Sequence, residues 1–174
     1  LLSVTSRPNL LVAIPCYNEA ETIGTVVEGI PRSIPGIGRV DILVIDDGSS
    51  DSTAEIAQAR GATVLRHLHN RGLGRIFQSV VSYAVYSGYD LMLNIDGDGQ
   101  FSPEDIPRIV APVLQGKADM ATASRFIDSS TLPKMPRSKL IGNRLMSFLI
   151  SQLVNYRYHD VSCGFRCYSR EALL

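Results

Sequence analysis

The sequence predicts an α/β fold of the Rossmann-like, doubly wound kind, with a mostly parallel sheet. Three observations carry this expectation. Short apolar runs alternate with stretches of helical periodicity. The runs are continuously apolar, as in strands buried on both faces. Clusters of polar residues directly follow three of the runs, where open α/β sheets bind their ligands.

Leu10-Leu11-Val12-Ala13-Ile14, ended by Pro15, reads as the first buried strand. A helix follows, with Asn18 and Glu21 as its capping pair and Ile23, Val26, Val27 and Ile30 at i, i+3, i+4, i+7. Pro31 and Pro35-Gly36 break the pattern. Ile42-Leu43-Val44-Ile45 is the second strand, and 51–60 a short helix with Gly61 at its C-terminal cap. Thr63-Val64-Leu65 is a third strand, 73–87 a helix with Phe77, Val80, Val81 and Ala84 on one face, and 91–95 a fourth strand. Ser102 caps a further helix with Pro103 at its first position, and Pro107 and Pro112 predict a bend in it. Residues 118–124 form a fifth strand and 126–136 the longest loop. The segment 138–154 is a helix rich in apolar residues (Leu140, Ile141, Leu145, Phe148, Leu149, Leu153), read either as a core helix or as one facing a membrane surface.

With 174 residues, 45% of them hydrophobic, the chain can bury a core of its own and is read as one domain over 1–174. Seventeen basic residues balance seventeen acidic ones, which excludes the overall positive field of a nonspecific nucleic-acid binder. Cys16, Cys163 and Cys167 are odd in number and lack the paired spacing of a structural zinc site, so they read as free thiols in a reducing compartment. No leader pattern opens the chain, and no run approaches the roughly 20 apolar residues of a membrane span, so the reading is soluble or peripheral. The ends read as cut, the C-terminal one just as a helix begins at 171–174.

The three polar clusters are Pro15, Tyr17, Asn18 and Glu19; Asp46, Asp47, Gly48 and Ser49; and Asp96, Gly97, Asp98, Gly99 and Gln100. In the third, two carboxylates one glycine apart point the same way from an extended segment and can share a hard divalent cation, Mg2+ or Mn2+. Such an ion completes its shell with water and phosphate oxygens, which suits a sugar diphosphate. The plainer reading of that cluster is a Gly-Asp turn. In the second cluster Ser49 and its neighbours can cap a helix while Asp46 or Asp47 accepts bonds from a base or ribose. Tyr17 offers a flat apolar face, and Glu19 an acceptor for a nucleobase edge. Gly72-Leu73-Gly74 lacks the Lys-Ser/Thr of a phosphate loop, and its glycines are expected to let a helix start approach the nucleotide or the sheet closely. Arg125, Lys134, Arg137, Lys139 and Arg144 form either a solvated basic face or a seat for an anionic acceptor. His67, His69 and His159 have no metal-binding spacing and read as structural or surface residues.

Together, Ile14-Pro15-Cys16-Tyr17-Asn18-Glu19, Val44-Ile45-Asp46-Asp47-Gly48-Ser49 with Asp51 and Thr53, Gly72-Leu73-Gly74, Asp96-Gly97-Asp98-Gly99-Gln100 with Pro103-Glu104-Asp105, Ser124-Arg125-Phe126 and Ser162-Cys163-Gly164-Phe165-Arg166 resemble the inverting GT-A glycosyltransferases of family 2. Within that family they resemble the polyprenol phosphate sugar transferases. The resemblance implies a nucleotide-diphosphate sugar donor (GDP- or UDP-linked), a polyprenol or dolichol phosphate acceptor, and work at the cytoplasmic face of a membrane through segments outside this chain. It further implies that Pro15, Tyr17, Glu19, Asp46, Asp47 and Asp96 bind the nucleotide sugar. Asp96, Asp98 and Gln100 would hold the metal, and Asp98, Arg125 and Arg137 would serve catalysis, the arginines by holding the acceptor phosphate or the surroundings of the transferred sugar. A lipid phosphate is already an anion, so no general base is needed. Two other readings stay open: a family 2 enzyme with a hydroxyl acceptor and Asp160 as base, and an inactive nucleotide-sugar-binding module.

Overall fold

A computed structural model describes residues 7–124, 137–154, 160 and 163–174. Its elements run β1 (Asn9–Cys16), α1 (Ile23–Gly29), β2 (Arg39–Asp46), α2 (Thr53–Ala59), β3 (Thr63–Arg66), α3 (Leu73–Tyr86), β4 (Leu91–Asn94), a 3-10 turn (Pro103–Asp105), α4 (Ile106–Leu114), β5 (Met120–Thr122), α5 (Arg137–Val154), β6 (Arg166–Ser169) and α6 (Arg170–Leu173). The chain divides into two compact units, one of Leu1–Ala121 with Phe165–Leu174, the other of Thr122–Gly164.

The six strands form one sheet in the order β3-β2-β1-β4-β6-β5. β1 runs parallel to β2 and β4, and β2 parallel to β3. β6 enters antiparallel to β4, a strand the sequence did not announce, because its four residues alternate in burial and draw their pairing from Leu91–Asn94, far away in the chain. Chain order reverses at β1: β2 and β3 are added on one side and β4 on the other. This is a topological switch point, and the crevice it creates lies beyond the carboxyl ends of β1 and β4.

Pro15 sits inside β1 without costing a ladder bond. Cys16 faces β2, since its carbonyl accepts from Asp47 N–H at 3.0 Å, so its neighbour Pro15 faces β4. Pairing on that side has already ended, at Ala13 with Asn94 and with Ile95 N–H.

On one face of the sheet Leu11, Ala13, Leu43, Ile45 and Met92 pack against Ile76, Val80 and Ala84 of α3. The alternate residues Leu10, Val12, Ile14 and Val44 are equally buried on the other face. Burial on both faces explains the unbroken apolar runs, and each such side chain contributes about 1.5–3 kcal/mol. Phe77, expected in the buried stripe of α3, is instead partly exposed and meets Tyr168 of β6 edge-on at 5.9 Å.

Four expectations need correction. Asn18 does not cap α1: it has φ +55°, and its Oδ1 accepts from Ser50 N–H at 2.9 Å, while α1 starts after Thr22. Pro107 lies in the first turn of α4, where its missing N–H has no helical partner to lose. A Cβ on Gly72 or Gly74 would meet nothing within 4 Å, so neither glycine serves a close approach to the sheet; Gly72 has φ +81° instead. The core-helix reading of α5 fails for Leu145, Phe148, Leu149 and Leu153, which are exposed, while the polar Asn143 and Ser147 are buried.

Candidate active site

Two loops beyond the switch point are laced together by side chains. Asn18 N–H donates to Ser49 Oγ (2.9 Å), Glu19 N–H to Thr53 Oγ1 (2.8 Å) and Ala20 N–H to Asp51 Oδ2 (3.2 Å). Asp51 Oδ1 in turn accepts from the Thr53 N–H and hydroxyl. Short polar side chains after β2 thus fix the backbone after β1, which is the physical content of the Asp51 and Thr53 positions. The same loop reaches the turn after β4, where Thr22 Oγ1 donates to the Gly97 carbonyl at 2.8 Å.

That turn carries Asp96 and Asp98. β4 ends at Asn94, so the acids sit in a turn with Gly99 at φ +73°, and not on the extended segment expected from the sequence. Both acids nevertheless line one cavity of about 260 Å3. Asp98 Oδ1 accepts from Gln100 N–H at 3.0 Å, which stabilises the turn.

Glu19 is the third acid here. Its carboxylate lies directly on Gly97, where any Cβ would collide with Oε2. Oε2 is buried with no hydrogen-bond partner among the described residues. Burial first, then the charges of Asp98, Asp96 and Asp51, push the Glu19 carboxyl up to about 7. Like charges gathered around a buried, orphaned oxygen fit a hard divalent cation, which would relieve all of these penalties together. Among the described residues no three His, Cys, Asp or Glu side chains are grouped so that they could hold a metal ion.

A carboxyl raised in the folded state keeps a proton that the unfolded chain has released. Its stabilisation is therefore complete below about pH 4.5 and fades as pH climbs to about 7. The melting temperature of metal-free protein is expected to carry this downward contribution, and Glu19→Gln to remove it. A Glu19→Gln variant with the wild-type pH slope would contradict the assignment.

Asp47 begins the other half of the cavity. Burial alone would raise its carboxyl, but hydrogen bonds from His67, Arg71 N–H and Gly72 N–H outweigh that and hold it below the usual range. The His67 Nδ1 contact is 2.7 Å, Arg71 N–H reaches both oxygens at 3.0 Å, and Gly72 N–H reaches Oδ2 at 2.8 Å. Nothing in the sequence signals this pairing, and His67, read as structural, proves to anchor Asp47. Gly48, at φ +79°, lies so close beneath His69 and Asn70 that a Cβ would come within 2.8 Å of the His69 backbone.

The structure brings Pro15, Tyr17, Glu19, Asp47, Asp96 and Asp98 to the cavity, joined by Asn70, which the sequence reading missed. It does not bring Asp46, which is fully buried, accepts from Ser49 N–H at 2.9 Å and lies 3.0 Å from Arg66 Nε. The Gln100 residue is exposed and contributes its N–H to Asp98. Arg125 lies outside the described residues, and of Arg137 only the backbone, at the first position of α5, is described. Cys16 is buried at the cavity floor, where burial, then Glu19 and Asp46, push its thiol far up. All three cysteines are free. Among the described residues no helix is long and apolar enough to cross a membrane.

A doubly wound sheet with an acid-lined cavity at its switch point defines a Rossmann-like α/β domain. The chain belongs to glycosyl transferase family 2, whose model matches residues 11–174. It is 35% identical over 167 residues to an uncharacterized protein of Methanocaldococcus jannaschii, covering 96% of this chain and 67% of that one. It is 31% identical over 177 residues to the polyprenol monophosphomannose synthase of Mycolicibacterium smegmatis, covering 97% and 65%. The fold is that of Mycobacterium tuberculosis glucosyl-3-phosphoglycerate synthase, solved with Mn2+, UDP-glucose and glycerol 3-phosphate (TM-score 0.71, 23% identity, 94% of this chain and 57% of that one). The chain thus spans about two thirds of these curated relatives and little over half of the solved one. The α/β, mostly parallel GT-A fold expected from the sequence is the fold observed.

Proposed function

We propose that this chain is the catalytic part of a metal-dependent, inverting glycosyltransferase that moves mannose or another hexose from a GDP- or UDP-sugar to a polyprenol or dolichol phosphate. The observation that carries the reading is the gathering of Glu19, Asp96 and Asp98 around one cavity at the switch point. The relative from Mycolicibacterium smegmatis, named for polyprenol monophosphomannose synthesis, supports the acceptor, and the Mn2+ and UDP-glucose of the solved relative support the metal and donor classes.

In this reading Asp96 and Asp98, with Gln100 beside them, hold Mg2+ or Mn2+. A cation held there would supply positive charge against a departing diphosphate. Glu19 crowds the two acids, and a cation there would relieve the burial and like charge that raise its carboxyl. Pro15 and Tyr17 give the nucleoside an apolar wall, while Asp46, buried against Arg66, holds the loop and not the ligand. Arg125 and Arg137 are assigned to the acceptor phosphate, whose own negative charge makes it the nucleophile. The exposed Leu145, Phe148, Leu149 and Leu153 of α5 suit contact with the cytoplasmic face of a membrane, where the lipid resides.

The test supplies full-length protein with GDP- and UDP-sugars, Mn2+ and either polyprenol phosphate or a hydroxyl-bearing glycan. A lipid-linked monosaccharide with inverted anomeric configuration, seen by mass spectrometry and NMR, is the expected product. Transfer to the glycan alone, abolished by Asp160→Asn, would move the enzyme to the hydroxyl-acceptor class.

A further inference from the structure

Two groups of contacts meet at the cavity. Glu19, Gly97 and the two acids make one group. Asp47 and the segment it holds make the other, and Leu73 and Ile76 of α3 also line the cavity. If the acid group takes the diphosphate, as the proposed function has it, the base is left to the second group and these apolar residues. A flat heterocycle there needs a hydrogen-bonding side chain to be identified by.

Outside the acid group, the lining residues able to hydrogen-bond through a side chain are Asp47, Cys16, Tyr17 and Asn70, and the reading above already gives Tyr17 to the wall against the nucleoside. The Asp47 carboxylate already receives His67, Arg71 N–H twice and Gly72 N–H, which accounts for its four acceptor sites. The Cys16 thiol donates to the Ile45 carbonyl. Asn70 lines the cavity, and its amide makes no hydrogen bond to any described residue. Its backbone is nevertheless held in place: Gly48 abuts it from below, so closely that a Cβ there would stand 3.0 Å from Asn70 N, and the next two N–H groups are tied to Asp47. An uncommitted amide on an anchored backbone is a recognition group that binds without reordering its own loop.

We infer that Asn70 reads the nucleobase of the donor and that Asp47 is a positioning residue acting through it. The inference rests on the donor reading above. Uracil and guanine both present a carbonyl acceptor beside an N–H donor, and a primary amide matches that edge with its N–H and C=O. A carboxylate at the same place accepts only. It suits guanine, which offers two adjacent donors, and opposes uracil, whose single donor lies between two carbonyls.

Calorimetric titrations with UDP, GDP and inorganic pyrophosphate, all with Mn2+, test this on wild type, Asn70→Ala and Asn70→Asp. Asn70→Ala is expected to weaken the better nucleotide about tenfold and leave pyrophosphate unchanged. Asn70→Asp is expected to shift the GDP-to-UDP affinity ratio toward GDP by about tenfold or more. Unchanged nucleotide affinity in Asn70→Ala, or an equal loss for pyrophosphate, overturns this inference and leaves the donor reading standing. Wild-type protein that binds neither nucleotide overturns both.

Discussion

Asp98→Asn is expected to lower sugar transfer by about 100- to 1,000-fold with Mn2+ or Mg2+ present, the scale seen when one electrostatic stabiliser of a transition state is removed. Asp98 is exposed, and its one hydrogen bond among the described residues, from Gln100 N–H to Oδ1, can be kept by the Asn carbonyl. The melting temperature should therefore be no lower than that of wild type. What changes is the charge. Of the acids that raise the Glu19 carboxyl, Asp98 is the strongest, so its neutralisation also lowers that carboxyl toward its ordinary range. Steady-state rates over a metal titration check the result, since a loss that excess metal fully restores would mean weaker binding and not lost chemistry. Normal turnover in Asp98→Asn would remove the acid pair from the mechanism.

Gly48→Ala should have the largest effect on stability. The residue has φ +79°, which costs an L side chain about 1–2 kcal/mol. The new methyl would also press on the backbone of His69 and Asn70, held in place through Asp47, and not on a flexible side chain that could swing aside. Together these predict a loss of about 2–4 kcal/mol and a melting temperature lower by roughly 5–15 °C for a chain of this size. Gly72→Ala is the matched control. Its φ is +81° but a Cβ there meets nothing within 4 Å, so only the backbone cost of about 1–2 kcal/mol applies. Thermal unfolding of the two variants side by side checks the difference. Equal losses would mean that the contact of Gly48 with the 69–70 backbone carries no energy.

Much of the scaffold was legible because its signals are local. Strands β1 and β2 are buried on both faces, so each appears as an unbroken apolar run with its ligand-facing residues directly after it. Glycines at 61 and 72 mark positive φ where the helix boundaries fall. What escaped depends on partners distant in the chain. β6 is a strand because β4 pairs with it, and nothing within Arg166–Ser169 says so. Asp46 and Asp47 are neighbours of the same type, yet alternation along the strand end sends one to Arg66 and the other to the 71–72 backbone. Glu19, expected at a nucleobase edge, joins the acids because Thr53 holds its N–H and Gly97 leaves room for its carboxylate. Asn70 was missed because a polar residue within His69-Asn70-Arg71-Gly72 reads as ordinary loop.

The central claim is that the carboxylates after β4 bind a cation shared with a nucleotide diphosphate. The most direct measurement is the dissociation constant of GDP and UDP with Mn2+ and again in EDTA, for wild type and for the Asp96→Asn, Asp98→Asn double variant. Wild type should bind at least one nucleotide about tenfold or more tightly with the metal, and the double variant should show no difference. Equal affinity of wild type in Mn2+ and in EDTA would contradict the account.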